Sequence, residues 1–155
     1  MAIVTGQDIL AADVNARSAG HITILLHNYD SIGQGTWVYA QDSPTMFNGI
    51  FYPSSAANLD NITYKAFLAV GTYTIRLVCS TNTANGIIDF DIDAVEVASF
   101  DTYAGSLIKN VIFTQTGIVV ATGGLKSIKM RADGKNGSSS GFTINPIILG
   151  LWRTV

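Results

Sequence analysis

The sequence predicts an all-β fold, an antiparallel jelly-roll-like β-sandwich preceded by a short N-terminal arm. Three observations predict it. Apolar and polar residues alternate with period two through many short runs, as expected of strands with one buried face. Clusters of Gly, Asn, Asp and Ser separate those runs at the spacing typical of sandwiches and barrels. No stretches with helical periodicity alternate with the strands, which argues against an α/β arrangement.

Residues 1–33 differ from the rest and are assigned to the arm. Residues 5–15 read TGQDILAADVN. Ile9, Leu10 and Val14 fall on one face of a short helix, with Thr5 or Asp8 as N-cap. Such a segment is too short to be stable alone, so its apolar face is expected to anchor the arm to another surface. Residues 21–27 (HITILLH) form a strand-like or docking stretch.

Residues 34–155 are assigned to the sandwich. Residues 34–40 (QGTWVYA) alternate around Trp37 and Tyr39, and residues 49–52 form a short strand ending at Pro53. A polar loop over 54–61 leads into a strand carrying Tyr64, Phe67 and Leu68. Residues 71–80 (GTYTIRLVCS) are the clearest strand. Tyr73, Ile75, Leu77 and Cys79 face one way, and Thr72, Thr74 and Arg76 the other. After the turn cluster TNTANG (81–86), Ile88, Phe90 and Ile92 alternate with Asp89, Asp91 and Asp93. Runs follow at 95–100, 110–115, 117–121 and 125–132, with Gly123-Gly124 as a tight turn. Residues 133–141 (DGKNGSSSG) form an open loop, and 142–154 a long last strand in which Pro146 requires an edge position or a bulge. The total is about eight to ten strands in one domain, with no repeat and no linker.

Composition narrows the function. Of 155 residues, 48% are apolar but only 13% charged, against roughly 25% charged in an average soluble protein. The net charge of -2 argues against nucleic acid as a partner, and no apolar run reaches the ~18 residues of a membrane span. No secretory signal opens the sequence. The single cysteine, Cys79, sits at core phase. A mean hydropathy of +0.32 with so little charge predicts apolar surface covered by other subunits. The last strand is apolar on both phases, so Ile147, Leu149 and Leu151 are expected at a subunit interface.

The residues give no catalytic constellation and call for no cofactor. There is no GxSxG elbow near a histidine, and Gly134-Lys135 is followed by Asn136 rather than Ser or Thr. His21 and His27 lack the neighbours of a metal site. Asp101 or Asp133 could serve a glycan-cleaving acid pair only with a second acid in a cleft. Asp89, Asp91 and Asp93 line one strand face, where a cation could relieve their repulsion. Pairing with Lys126, Lys129 or Arg131 on a neighbouring strand is the simpler expectation. Trp37, Tyr39, Tyr52, Tyr64, Tyr103 and Trp152 could build a sugar-stacking platform, though most sit at core phase. A glycan or receptor surface is placed on loops at one end, around Tyr52, Tyr103, Asp133 and Asn136.

Two stretches resemble virion proteins of tailed bacteriophages. One is the arm, with its Gly, Leu, Ala-Ala-Asp and Asn pattern over residues 5–15. The other runs over about residues 71–154, where GTYTIRL, NGIIDFDID, VASFDTYAG, GLKSIKMRADGKNGSSSGFTI and LWRT occur in order. These look like the jelly-roll domains of decoration, head-spike and tail-fibre proteins. In that pattern a glycine often follows the strand aspartate, whereas Ala94 follows Asp93 here. The resemblance implies a homotrimer made in the host cytoplasm and located on the virion. It also implies a non-enzymatic role, as a capsid decoration protein bound through the arm to capsid or other virion proteins. The alternative is a module that binds a host surface glycan or receptor.

Overall fold

The computed structural model describes residues 20–40 and 50–154. Their eleven strands are β1 (His21–Leu25), β2 (Ser31–Gln34), β3 (Trp37–Ala40), β4 (Ile50–Pro53), β5 (Asn61–Leu68), β6 (Gly71–Thr81), β7 (Ile87–Ile92), β8 (Val95–Asp101), β9 (Ile108–Val120), β10 (Gly124–Ala132) and β11 (Asn145–Arg153). Four strands form one sheet in the order β1-β11-β6-β9, and five form a second in the order β2-β5-β10-β7-β8. β3 and β4 make a separate hairpin. Every strand pairing is antiparallel. The fold is the all-β, jelly-roll-like sandwich that the alternation predicts.

Period-two patterning explains the core directly. Tyr73, Ile75, Leu77 and Cys79 of β6 enter it from the four-stranded sheet, beside Leu149 and Leu151 of β11. Ile88, Phe90, Ile128, Met130, Ile62 and Tyr64 enter from the five-stranded sheet. The Tyr64 hydroxyl donates to the Leu26 carbonyl at 2.8 Å, so the ring is buried without orphaning its polar tip. Burial pushes the Cys79 thiol up to about 12, which makes it an inert core residue.

Four expectations are corrected. The sandwich begins before residue 34: β1 pairs with β11, and β2 pairs with β5. Residues 21–34, assigned to the arm, therefore belong to the two sheets, because HITIL can satisfy its backbone against the edge of β11. Ile9, Leu10 and Val14 lie outside the described residues. The two runs at 110–115 and 117–121 are one strand, β9, whose register slips by a residue near Gly117; its positive φ of 76° makes it the natural site for a bulge. The last strand starts at Asn145, with a register shift after Pro146 where the missing N–H requires it.

The fourth correction concerns Ile147, Leu149 and Leu151. They are 3%, 0% and 0% exposed within this one chain. They have no surface to offer a neighbour. The opposite phase of β11 carries Trp152, whose ring lies over Gly150, where any Cβ would collide with it. His21 stacks on this ring at 4.6 Å, and the Arg76 guanidinium lies 5.2 Å from its centroid. Both phases of β11 are thus covered by the chain itself. The apolar surface left open lies elsewhere, at Val95, Ile108, Ile112, Val119 and Leu125.

Candidate functional site

One end of the sandwich gathers the loops 54–60, 82–86, 102–107 and 133–144. The strands β6, β8 and β10 run toward it, so the loops after them converge, and backbone bonds stitch them together. Gly86 N–H donates to Thr143 O at 2.8 Å and Ile87 N–H to Gly134 O at 3.1 Å. Thr102 N–H donates to Gly86 O at 3.2 Å, and Leu59 N–H to Ala132 O at 2.7 Å. Asn82 bridges Tyr103 and Asn85 bridges Thr143 in parallel register.

Buried side chains fix this arrangement. Asn85 is wholly buried; its Nδ2 donates to Ser80 O at 2.7 Å, and its Oδ1 accepts from Asn145 Nδ2 at 3.1 Å. Thr102 Oγ1, also buried, donates to Gly86 O at 2.7 Å. Asp60 is buried and accepts from Ala57 N–H at 2.9 Å. These are polar groups satisfied inside the protein, which rigidifies the loops they tie.

Three of the four proposed surface residues meet here. Asp101 Oδ1 accepts from the Tyr103 N–H at 3.0 Å, and its Oδ2 accepts from Asn136 Nδ2 at 2.7 Å. Asn136 Oδ1 accepts from Ser138 N–H at 3.0 Å, closing the turn of the 133–144 loop. Asp133 sits at the start of that loop, on Arg131. Tyr52 stands apart, half-buried on β4 opposite Val38. Tyr103 is flanked by Asp101 and, through it, Asn136, with Asn82 bridged to its backbone. Lys135 lies over the Phe142 ring at 5.2 Å. The other predicted aromatics are dispersed: Trp37 and Tyr64 are core, Tyr39 meets His27 edge-on, and Trp152 is on the four-stranded sheet. They form no common platform. His21 and His27 likewise go to separate ring partners.

The aspartate row divides. Asp93 leaves the strand for the β7–β8 turn, where Lys126 Nζ donates to it at 2.7 Å. That bond and the Ser127 N–H hold its carboxyl below the usual aspartate range. Asp89 and Asp91 remain on β7, opposite Arg131 and Lys129 of β10. Arg131 donates to Asp91 at 2.7 Å, Glu96 at 2.8 Å, Asp133 at 2.8 Å and Asp89 at 3.4 Å. The cross-strand pairing expected from the sequence is therefore present for Arg131 and Lys126. Glu96 and Asp133 were missed as members of this group. Nothing in their spacing marks them: a register shift in the β7–β8 pairing places Glu96 opposite Asp91, and Asp133 arrives from the end of β10. Burial raises the Asp89 carboxyl, and Glu96 and Asp133 add to the rise against the opposing pull of Ser99 and Arg131.

A separate cavity of about 440 Å³ opens beside β1 and β5, lined by Ile22, Leu25, Asn28, Lys65 and Phe67 among others. It contains none of the loop-end residues.

No protein-family model matches the chain, and no curated protein does. Solved structures do. The CBM36-1 domain of a multidomain xylanase from the hindgut metagenome of Trinervitermes trinervoides superposes with a TM-score of 0.64 at 20% identity, covering 84% of this chain and 95% of that one. The carbohydrate-binding module CBM6cm-2 from Cellvibrio mixtus lichenase 5A, solved with cellotriose, gives 0.62 at 14% identity, covering 86% and 98%. Paenibacillus xanthan lyase gives 0.71 at 19% identity over 85% of this chain but only 13% of its own. At these identities the likeness establishes a shared jelly-roll β-sandwich fold, the one used by these carbohydrate-binding modules.

Proposed function

We propose that this chain is a glycan-binding module that acts by binding and not by turnover, with the loop end around Tyr103, Asp101, Asn136 and Asp133 as its recognition surface. The observation that carries the reading is the convergence of these residues on loops held by buried hydrogen bonds. An aromatic ring beside amide, hydroxyl and carboxylate groups suits a hydroxyl-rich ligand: the ring offers an apolar face, and the polar groups fix orientation. The fold shared with carbohydrate-binding modules supports the same reading. Capsid decoration has no support beyond the motif resemblance.

A glycan array with the purified protein tests this, followed by titration of each hit against Tyr103→Ala and Asn136→Ala. Saturable binding, weakened about ten-fold or more by either variant with the melting temperature little changed, is the expected result. A blank array, or binding indifferent to both variants, refutes the assignment.

The setting proposed for the module is the surface of a phage particle, displayed as a trimer. The motif resemblance and the low charge content are its basis. Light scattering that reads 16.5 kDa, the mass of one chain, refutes the trimer, and purified particles free of the protein refute the setting.

A further inference from the structure

We propose that the Asn136-Gly137 step is a site of spontaneous covalent modification, at which the Asn136 amide becomes an acid and the 133–144 loop is released from Asp101. In this reaction the Gly137 peptide nitrogen gives up its proton to solvent base and attacks Asn136 Cγ. The new N–C bond closes a cyclic succinimide, and the Cγ–Nδ2 bond breaks to release ammonia. A water molecule then opens the ring at either carbonyl, leaving aspartate or isoaspartate. Nothing is oxidised or reduced, and water is the sole co-reactant. A glycine in the following position favours the attack, because no Cβ shields its nitrogen.

The described residues contain this dipeptide at Asn85-Gly86 and at Asn136-Gly137, in opposite settings. Asn85 is wholly buried, with its side chain bound to Ser80 and Asn145, and the Gly86 N–H donates to Thr143 O at 2.8 Å. Electrophile and nucleophile are both tied to other groups there. Asn136 is half-buried and Gly137 and Ser138 are exposed, so water has access to the step. The bond from Ser138 N–H to Asn136 Oδ1, at 3.0 Å, closes a ring that contains the Gly137 nitrogen. It holds Cγ beside that nitrogen and sets a donor on the oxygen that gains charge during attack. Asp101 Oδ2 now accepts from Asn136 Nδ2 at 2.7 Å. In the product a carboxylate oxygen takes the place of that donor, and two carboxylates so close repel. Within the glycan reading, the new charge falls on the recognition surface itself.

Peptide mapping by mass spectrometry, on folded protein held in mildly alkaline buffer, tests the site without any glycan. It reads the amide-to-acid mass gain at each asparagine and separates aspartate from isoaspartate. The expected result is conversion of Asn136 about ten-fold or more faster than Asn85, with both acids as products. Gly137→Ala is the principal variant, because a Cβ there meets nothing within 4 Å and φ lies outside the left-handed region. It should keep the melting temperature and slow the conversion about ten-fold or more. Asn136→Asp carries the charge of the product and should speed amide exchange across the 133–144 loop. Four results overturn the proposal: an Asn136 that stays an amide in the folded protein while it converts in urea, equal rates at Asn85 and Asn136 in the folded protein, conversion that Gly137→Ala does not slow, or loop exchange unchanged by Asn136→Asp. A blank glycan array refutes the binding module and leaves these readings as they are.

Discussion

Replacing Asn85 by alanine should unhinge the loop end without touching its surface. Asn85 is fully buried and holds two partners, the Ser80 carbonyl at 2.7 Å and the Asn145 amide at 3.1 Å. Truncation removes both bonds and leaves both partners buried. Each orphaned group costs about 1–3 kcal/mol, and the Ser80 carbonyl falls at the low end because one lone pair is enough to satisfy it. The sum is about 2–4 kcal/mol. For a domain of this size each kcal/mol lowers the melting temperature by about 2–4 °C, so a fall of about 4–16 °C is expected, measured by urea and thermal unfolding. Asn85→Asp separates geometry from chemistry. It keeps the shape and the acceptor for Asn145 but points a carboxylate at the Ser80 carbonyl, so it should cost at least as much as alanine at neutral pH and less in acid. A loss below about 0.5 kcal/mol for Asn85→Ala would show that the loops are held by their backbone bonds alone and refute the reasoning.

Three further outcomes follow from the geometry. Asp93 and Ala94 form the two-residue β7–β8 turn with φ of 49° and 66°, a conformation that favours glycine at the second position. Ala94→Gly should stabilise by about 0.5–1 kcal/mol, and a shift of the urea midpoint to lower concentration would sink that argument. Leu149→Asp should abolish the folded domain rather than dissociate an oligomer, because Leu149 lies in the inter-sheet core; a folded, soluble monomer carrying this change would contradict the burial. Asp89 and Asp93 should act oppositely with pH. The depressed Asp93 carboxyl stabilises above the ordinary aspartate range and loses that contribution as pH falls through its folded pKa. The raised Asp89 carboxyl is favoured while protonated, and stability is withdrawn as pH rises from the ordinary aspartate range to its folded pKa. The Asp89→Asn variant lacks this ionisation, so it should gain on the wild type with rising pH; a constant difference across pH 3–8 counts against it.

How much of this was legible in the sequence depended on the range of the interaction. Period-two alternation marked β6, β7 and β10 and their core faces, because the pleat turns sequence parity into side-chain direction. Residues 21–34 were misassigned because a strand in a sheet and a docking arm present the same apolar alternation; what distinguishes them is the partner, β11, more than a hundred residues away. Leu149 and Leu151 were placed at an interface because two apolar phases on β11 imply two covers. The second cover turned out to be internal, a His21–Trp152–Arg76 stack assembled from three strands. The acidic group needed a register shift and a loop start to assemble, and neither leaves a periodic mark.

The low charge content takes on a different meaning once the loop end is in view. A surface poor in charge was expected to be hidden by subunits. At the loop end, neutral groups supply much of the polar surface beside the acids Asp101 and Asp133: Asn58, Asn82, Thr83, Asn136 and Ser138 all lie on these loops. Several of these bind backbone, as Asn58 does to Gly134 N–H at 2.7 Å and Asn82 to Ala84 N–H at 2.7 Å, so their orientations are set before any ligand arrives. A preorganised surface made mostly of neutral groups spends little on side-chain ordering and less on stripping hydration from ions. That balance fits an uncharged, hydroxyl-bearing partner better than an acidic or basic one, for which steering charges would be the economical solution. On this argument the same compositional bias that first pointed to subunit contact follows from the chemistry of the ligand, and the strongest binders on an array should be neutral saccharides rather than sulfated or uronate-rich ones.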